Sequence, residues 1–127
     1  MHPNEKLLTD IYAAFAKGDV AFMFAQTAPD MKWSVPGKAP HCGTFNNETF
    51  MGCLGKVMEI SGGTFGEAVV HVVANDEKGV VVADHWLTRA GKRIEYRTDH
   101  IWGFRGGKAV SFEERAGNLD EFNRAWS

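Results

Sequence analysis

Apolar residues recur at helical spacing in the first half of the chain and at strand spacing in the second. Leu7, Leu8, Ile11, Tyr12 and Phe15 share one stripe, which predicts an amphipathic helix capped by Asn4 and closed by Lys17-Gly18. Asp19 can cap a short second helix through Ala25, with Val20, Met23 and Phe24 apolar, before Pro29. A strand from Met31 to Val35 puts Trp33 and Val35 on one face and Lys32 and Ser34 on the other. The segment to Phe45 reads as a loop, and Asn47 as the cap of a third helix with Phe50, Leu54, Val57 and Met58 as its stripe.

After Ser61-Gly62-Gly63 the period becomes that of strands. Four β-rich runs follow, Thr64–Ala74, Val80–Arg89, Arg93–Phe104 and Ala109–Arg115, which predict an antiparallel meander; Leu119 to Trp126 is a short helix or an ordered tail. In Arg93–Phe104 the apolar alternation sets Ile94, Tyr96, Thr98, His100, Trp102 and Phe104 inward. A two-residue loop at Ala90-Gly91 pairs His85 with Tyr96 and turns it inward, whereas a three-residue loop would bring in Asp84 and Trp86 instead. A three-residue loop at Arg105-Gly106-Gly107, with Gly107 as a bulge, sets Phe112 beside His100 and Glu114 beside Thr98. Counting back from Asp76-Glu77 puts Ala68, Val70 and Val72 inside and His71 outside.

Length and composition change this picture little. The 127 residues suit one domain, with 44% hydrophobic and 24% charged residues. A net charge of -2 with scattered Lys and Arg argues against nucleic-acid binding. No apolar run is long enough to span a bilayer and the first residues lack the order of a signal peptide, so the expectation is a cytoplasmic protein without membrane contact. Cys42 and Cys53 read as free thiols.

Helix, Gly18-Asp19, second helix, Trp33-Ser34-Val35-Pro36-Gly37, Gly43-Thr44-Phe45, third helix and a meander ending in Phe104-Arg105-Gly106-Gly107-Lys108 together resemble the nuclear transport factor 2-like superfamily. Within it the likeness is to the SnoaL-like polyketide cyclase branch, related to ketosteroid isomerases and limonene epoxide hydrolases. The resemblance implies a cone-shaped α+β roll, order ααβαββββ, whose strongly bent, mainly antiparallel sheet wraps helices around an apolar pocket, and a homodimer formed through the outer sheet face by Trp86, Ile101 and His71. By position, the isomerases' oxyanion tyrosine falls at Ile11, one residue from Tyr12, their proton-shuttling aspartate at Val35 and their second oxyanion donor at His100. The epoxide hydrolases' functional positions fall at Ala83, His85 and Glu114.

The candidate catalytic residues are therefore His85, His100, Glu114 and Tyr96. Glu114 is the most informative, because a carboxylate on an apolar face is rare unless paired and burial raises its pKa toward the acid–base range. A core histidine bonded to Tyr96 or Thr98 is the plain alternative for His100. Trp33, Val35, Phe50, Met58, Thr98, Trp102 and Phe112 are candidate ligand-binding residues, although such stripes are more often plain core. His41 and Cys42 fall in a loop near the rim. The five histidines include no HxH or HxxxH pair, so no metal is assigned, and no cofactor fingerprint occurs. The expectation is a hydrophobic small molecule as partner, bound by an isomerase, cyclase or hydratase-type enzyme in which Glu114 or a histidine is the base and Tyr96 or His100 polarises an oxygen. A non-catalytic binder and a protein-interaction scaffold are the alternatives.

Overall fold

The computed structural model describes residues 1–39 and 41–127. Helices α1 (Pro3–Ala16) and α2 (Val20–Ala25) precede β1 (Thr27–Val35), β2 (Gly43–Phe45) and α3 (Asn47–Ser61). Then come β3 (Gly66–Ala74), β4 (Lys78–Arg89), β5 (Lys92–Arg105), β6 (Lys108–Ala116) and α4 (Leu119–Trp126). This is the expected α+β order, with a three-residue strand Gly43–Phe45 where a loop was expected and the C-terminal stretch helical. The sheet runs β2-β1-β6-β5-β4-β3, antiparallel except for the parallel pairing of β1 with β6. Pro29 lies between Thr27 and Lys32, where β1 drops out of register with β6, so its missing N–H costs no ladder bond.

Two helix caps differ from expectation. His2 rather than Asn4 caps α1: its imidazole accepts the Asn4 N–H at 3.0 Å, and the Glu5 carboxylate accepts the His2 N–H at 2.8 Å. Asn4 is buried and spends its amide on the Asn75 carbonyl. Asn46 caps α3 in a reciprocal arrangement with Thr49, which frees Asn47 for the interior.

The turn between β4 and β5 is the two-residue loop, with Ala90 and Gly91 both at positive φ, 51° and 74°, as a type I′ hairpin needs. Leu87 accordingly faces Ile94, and His85 faces Tyr96 on the inner side. At the next hairpin the expectation fails in detail. Gly106 and Gly107 form a two-residue loop, and the extra residue is Val110, between Ala109 opposite Phe104 and Ser111 opposite Gly103. The inner parity of Phe112 and Glu114 is preserved, but they pair with Trp102 and His100.

Strand β3 carries the larger correction. Val69 pairs with Ala83 and His71 with Val82, so Val70 is a bulge and the first half of the strand is turned over. Glu67, opposite His85, takes the inner side, while Ala68 and Val70 are exposed. His71 is exposed, as expected. Among the described residues, no helix is long and apolar enough to cross a membrane.

Candidate functional site

The inner sheet face and helices α1, α3 and α4 enclose a cavity of about 90 Å³ with mainly aromatic walls. Trp33 stacks on Phe50 with ring centroids 4.2 Å apart, and Phe112 tilts against Trp33 at 5.3 Å. Trp33 Nε1 donates to Asn47 Oδ1 at 2.7 Å, and Asn47 Nδ2 donates to Thr27 Oγ1 at 2.7 Å, so the indole N–H is satisfied and the ring is fixed from behind. Trp126 of α4 donates to the Tyr96 hydroxyl at 3.0 Å.

One buried polar cluster interrupts this wall. His100 Nε2 lies 3.0 Å from Glu114 Oε1, and its Nδ1 lies 2.5 Å from the Tyr12 hydroxyl. Thr98 Oγ1 lies 2.6 Å from His85 Nε2 and 3.0 Å from His100 Nε2. On its other side, His85 Nδ1 stands 3.5 Å from Glu67 Oε2.

Burial alone would raise the Glu114 carboxyl and lower the His100 imidazole, but their hydrogen bond and mutual charge reverse both directions. Glu114 is held below the usual carboxylate range and His100 above the usual imidazole value, so at neutral pH they form an ion pair. An imidazolium donates from both nitrogens. Nε2–H serves Glu114 and Nδ1–H serves the Tyr12 oxygen, which also accepts from Trp102 Nε1 at 3.1 Å. With both lone pairs engaged, Tyr12 keeps its own O–H to donate toward the cavity it lines. Burial raises its pKa well above the phenol value, which keeps that proton in place.

The second histidine behaves differently. Burial lowers His85 to about 4, outweighing the Glu114 charge, so the ring is neutral. The His100 nitrogen beside Thr98 already carries a proton, so the Thr98 hydroxyl donates to His85 Nε2. This leaves the His85 proton on Nδ1, facing Glu67 without a hydrogen bond. Burial pushes Glu67 up to about 7; His100 lowers it and Glu114 raises it. Burial likewise raises Tyr96, whose oxygen is occupied by Trp126.

Most residues singled out from the sequence meet at this cavity. His100, Glu114, Tyr96, Trp33, Val35, Phe50, Trp102 and Phe112 line it. Thr98 and His85 stand just behind: Thr98 bonds the lining His100, and His85 bonds Thr98. Met58 does not join them: it is 48% exposed and faces an outer groove, because it sits at the far edge of the α3 stripe.

Among the lining residues outside the candidate set, Tyr12, Glu67 and His41 bring polar groups. Tyr12 is not carried out of the pocket by its offset from Ile11; both side chains reach the cavity. Glu67 is brought in by the Val70 bulge, which has no marker in the sequence. His41, from the segment before β2, is 3% exposed, tilts against Trp126 with ring centroids 4.4 Å apart and has a buried Nδ1 without a partner. Its only signal was a histidine in a loop. Cys53, bonded to the His41 carbonyl, is pushed up to about 12 by burial and is no nucleophile.

Glu67, His85 and His100 offer donor atoms within 4.8 Å of one another, a spacing a cation can bridge. However, both His100 nitrogens are already engaged by Tyr12 and Glu114, so a metal would have to displace the ion pair. The donor set fits proton chemistry without such a loss.

No family model matches the chain. The uncharacterized protein Rv0034 of Mycobacterium tuberculosis is 32% identical over 111 residues, 85% of this chain and 84% of that protein. Among solved structures, Bal32a from a soil-derived mobile gene cassette superposes with a TM-score of 0.90 at 23% identity, covering 98% of this chain and 97% of its own. A nuclear transport factor 2-like protein of Burkholderia pseudomallei does so at 0.88 and 23%, covering 100% and 99%. TerC, co-crystallized with polyporic acid, gives 0.85 and 23%, covering 97% of each chain. The fold is thus that of the cystatin-like, nuclear transport factor 2-like proteins. The chain belongs to the family that includes Rv0034.

Proposed function

We propose that this protein is a cofactor-independent acid–base enzyme that moves a proton on a small, largely apolar molecule bearing a carbonyl or similar oxygen. One observation carries the reading: the Tyr12 O–H and the Glu67 carboxyl, a donor and a group titrating near 7, line the same aromatic cavity. Tyr12 donates to the substrate oxygen, where charge develops as the proton leaves, and the His100–Glu114 ion pair with Trp102 holds the phenol in that orientation. Glu67, half ionised at neutral pH, takes the proton from carbon and returns it. Thr98 bonds both His85 and His100, and the His85 ring packs beside Glu67. That TerC was crystallized with polyporic acid supports reading the cavity as a small-molecule site.

The test needs no knowledge of the natural substrate. Proton NMR in D₂O follows exchange of the α-hydrogens of small cyclic ketones. The wild type accelerates exchange, and Glu67→Gln and Tyr12→Phe each slow it by about 100-fold or more. A rate equal to that of buffer, or equal in both variants and wild type, overturns the catalytic role and favours a non-catalytic binder.

We also infer a homodimer through the outer sheet face, where Val80, Val82 and Ile101 stand half-buried side by side and uncovered by the chain itself.

A further inference from the structure

Beyond the cavity lies a second hollow of about 770 Å³, between α1, α3 and the edge strand β3. Six side chains, Tyr12, Phe15, Leu54, Val57, Phe65 and Glu67, line both spaces, so the two are consecutive compartments with a shared neck. The outer one is apolar: Ala13, Ala16, Val20, Met58 and Val69 contribute to it, and among its lining residues Glu67 and Tyr12 alone can ionise. Met58 and Val69 are 48% and 41% exposed, large apolar side chains left in water at its rim.

The groove is also completed from an unexpected side. Trp86 pairs with Gly66, and its indole lies across that glycine, where an added Cβ would come within 2.2 Å of the ring, so that the ring reaches the groove at the start of the edge strand. Arg93 backs the indole, its guanidinium carbon 5.3 Å from the ring centre. A glycine at the start of the edge strand thus lets Trp86 form part of the groove wall.

We propose that the substrate is a two-part molecule, with a compact oxygen-bearing head in the cavity and an uncharged alkyl tail in the outer groove. The inference rests on the proposed carbonyl reading of the cavity and adds the chemical class. The inner space of about 90 Å³ holds a head but falls short of the roughly 300–1,000 Å³ of pockets that enclose a whole drug-sized ligand. The groove supplies the missing volume and offers an apolar surface with no cation to receive a charged tail. Glu67, shared by both compartments, then sits where head and tail join, beside the carbons next to the oxygen-bearing group.

Isothermal titration with cyclohexanone and 2-heptylcyclohexanone tests this. The heptyl ketone binds the wild type at least about tenfold more tightly, since each buried CH₂ contributes about 0.8 kcal/mol. In Met58→Asp and Val69→Asp, which alter exposed positions, the ratio of the two affinities falls toward one. Equal affinities in the wild type, or a chain advantage that survives both substitutions, overturns the two-part substrate. A chain advantage retained while Tyr12→Phe leaves both affinities unaltered removes the carbonyl role of Tyr12 and keeps the groove. Failure of both ketones to bind overturns both readings.

Discussion

The Glu67 carboxylate stops 3.5 Å from Nδ1 of His85, a ring nitrogen that finds no other partner. Both groups are displaced by burial, and in opposite senses: Glu67 is protonated more readily in the fold than in the unfolded chain, and His85 less. A raised carboxyl contributes most below its ordinary value of 4.5, and that contribution is lost as pH rises through about 7. A lowered imidazole contributes above its ordinary 6.5, and that contribution is lost as pH falls through about 4. Between those limits the two slopes oppose each other.

Glu67→Gln separates them. At pH 5 the carboxyl is already protonated in the fold, so the amide changes stability little. At pH 8.5 the variant exceeds wild type by about 2–3 kcal/mol, because a buried, imperfectly paired carboxylate has been removed. Urea denaturation at the two pH values measures the difference, and a variant less stable than wild type at pH 8.5 would contradict the burial argument.

The partnership of His100 with Glu114 has the opposite character, since each partner favours the charged form of the other. The Glu114 contribution is present above 4.5 and lost on acidification through its lowered value. The His100 contribution is present below 6.5 and lost as pH rises through its raised value. Glu114→Gln leaves a 3%-exposed imidazole without its counter-charge and costs about 3–5 kcal/mol near pH 6. Denaturant titration checks this, and NMR of the His100 ring should show its titration moving to lower pH.

The outer-face dimer is read by sedimentation at micromolar protein. Ile101→Asp sets a charge opposite Val80 in the uncovered apolar row and converts dimer to monomer while leaving the far-ultraviolet dichroism unchanged. A wild-type protein that sediments as a monomer excludes the dimer outright.

Much of this architecture was legible because β5 alternates without interruption from Ile94 to Phe104 and Ala90-Gly91 fixes its register with β4. Those two facts place His85, Tyr96, Thr98 and His100 on one face. Glu114 was legible for the same reason, since the extra residue merely moved from Gly107 to Val110 and the parity beyond it was kept. Glu67 was not, because a bulge at a valine among valines carries no residue preference, and one extra residue reverses every facing upstream of it. Met58 misled for a geometric reason: the α3 stripe is wider than the wall it faces, and its edge falls in the outer groove. His41 belongs to a segment without period, and Phe122 and Trp126 of α4 close over its ring.

The Val70 bulge gives this scaffold an unusual evolutionary lever. Were β3 to pair without the bulge while keeping all its residues, its start would turn over and offer Ala68 to the cavity in place of the Glu67 carboxyl, whereas deleting Val70 regularises the ladder and leaves Glu67 opposite His85. A lineage could therefore shed the extra residue and keep the titrating group at the neck, with the rest of the wall left as it stands.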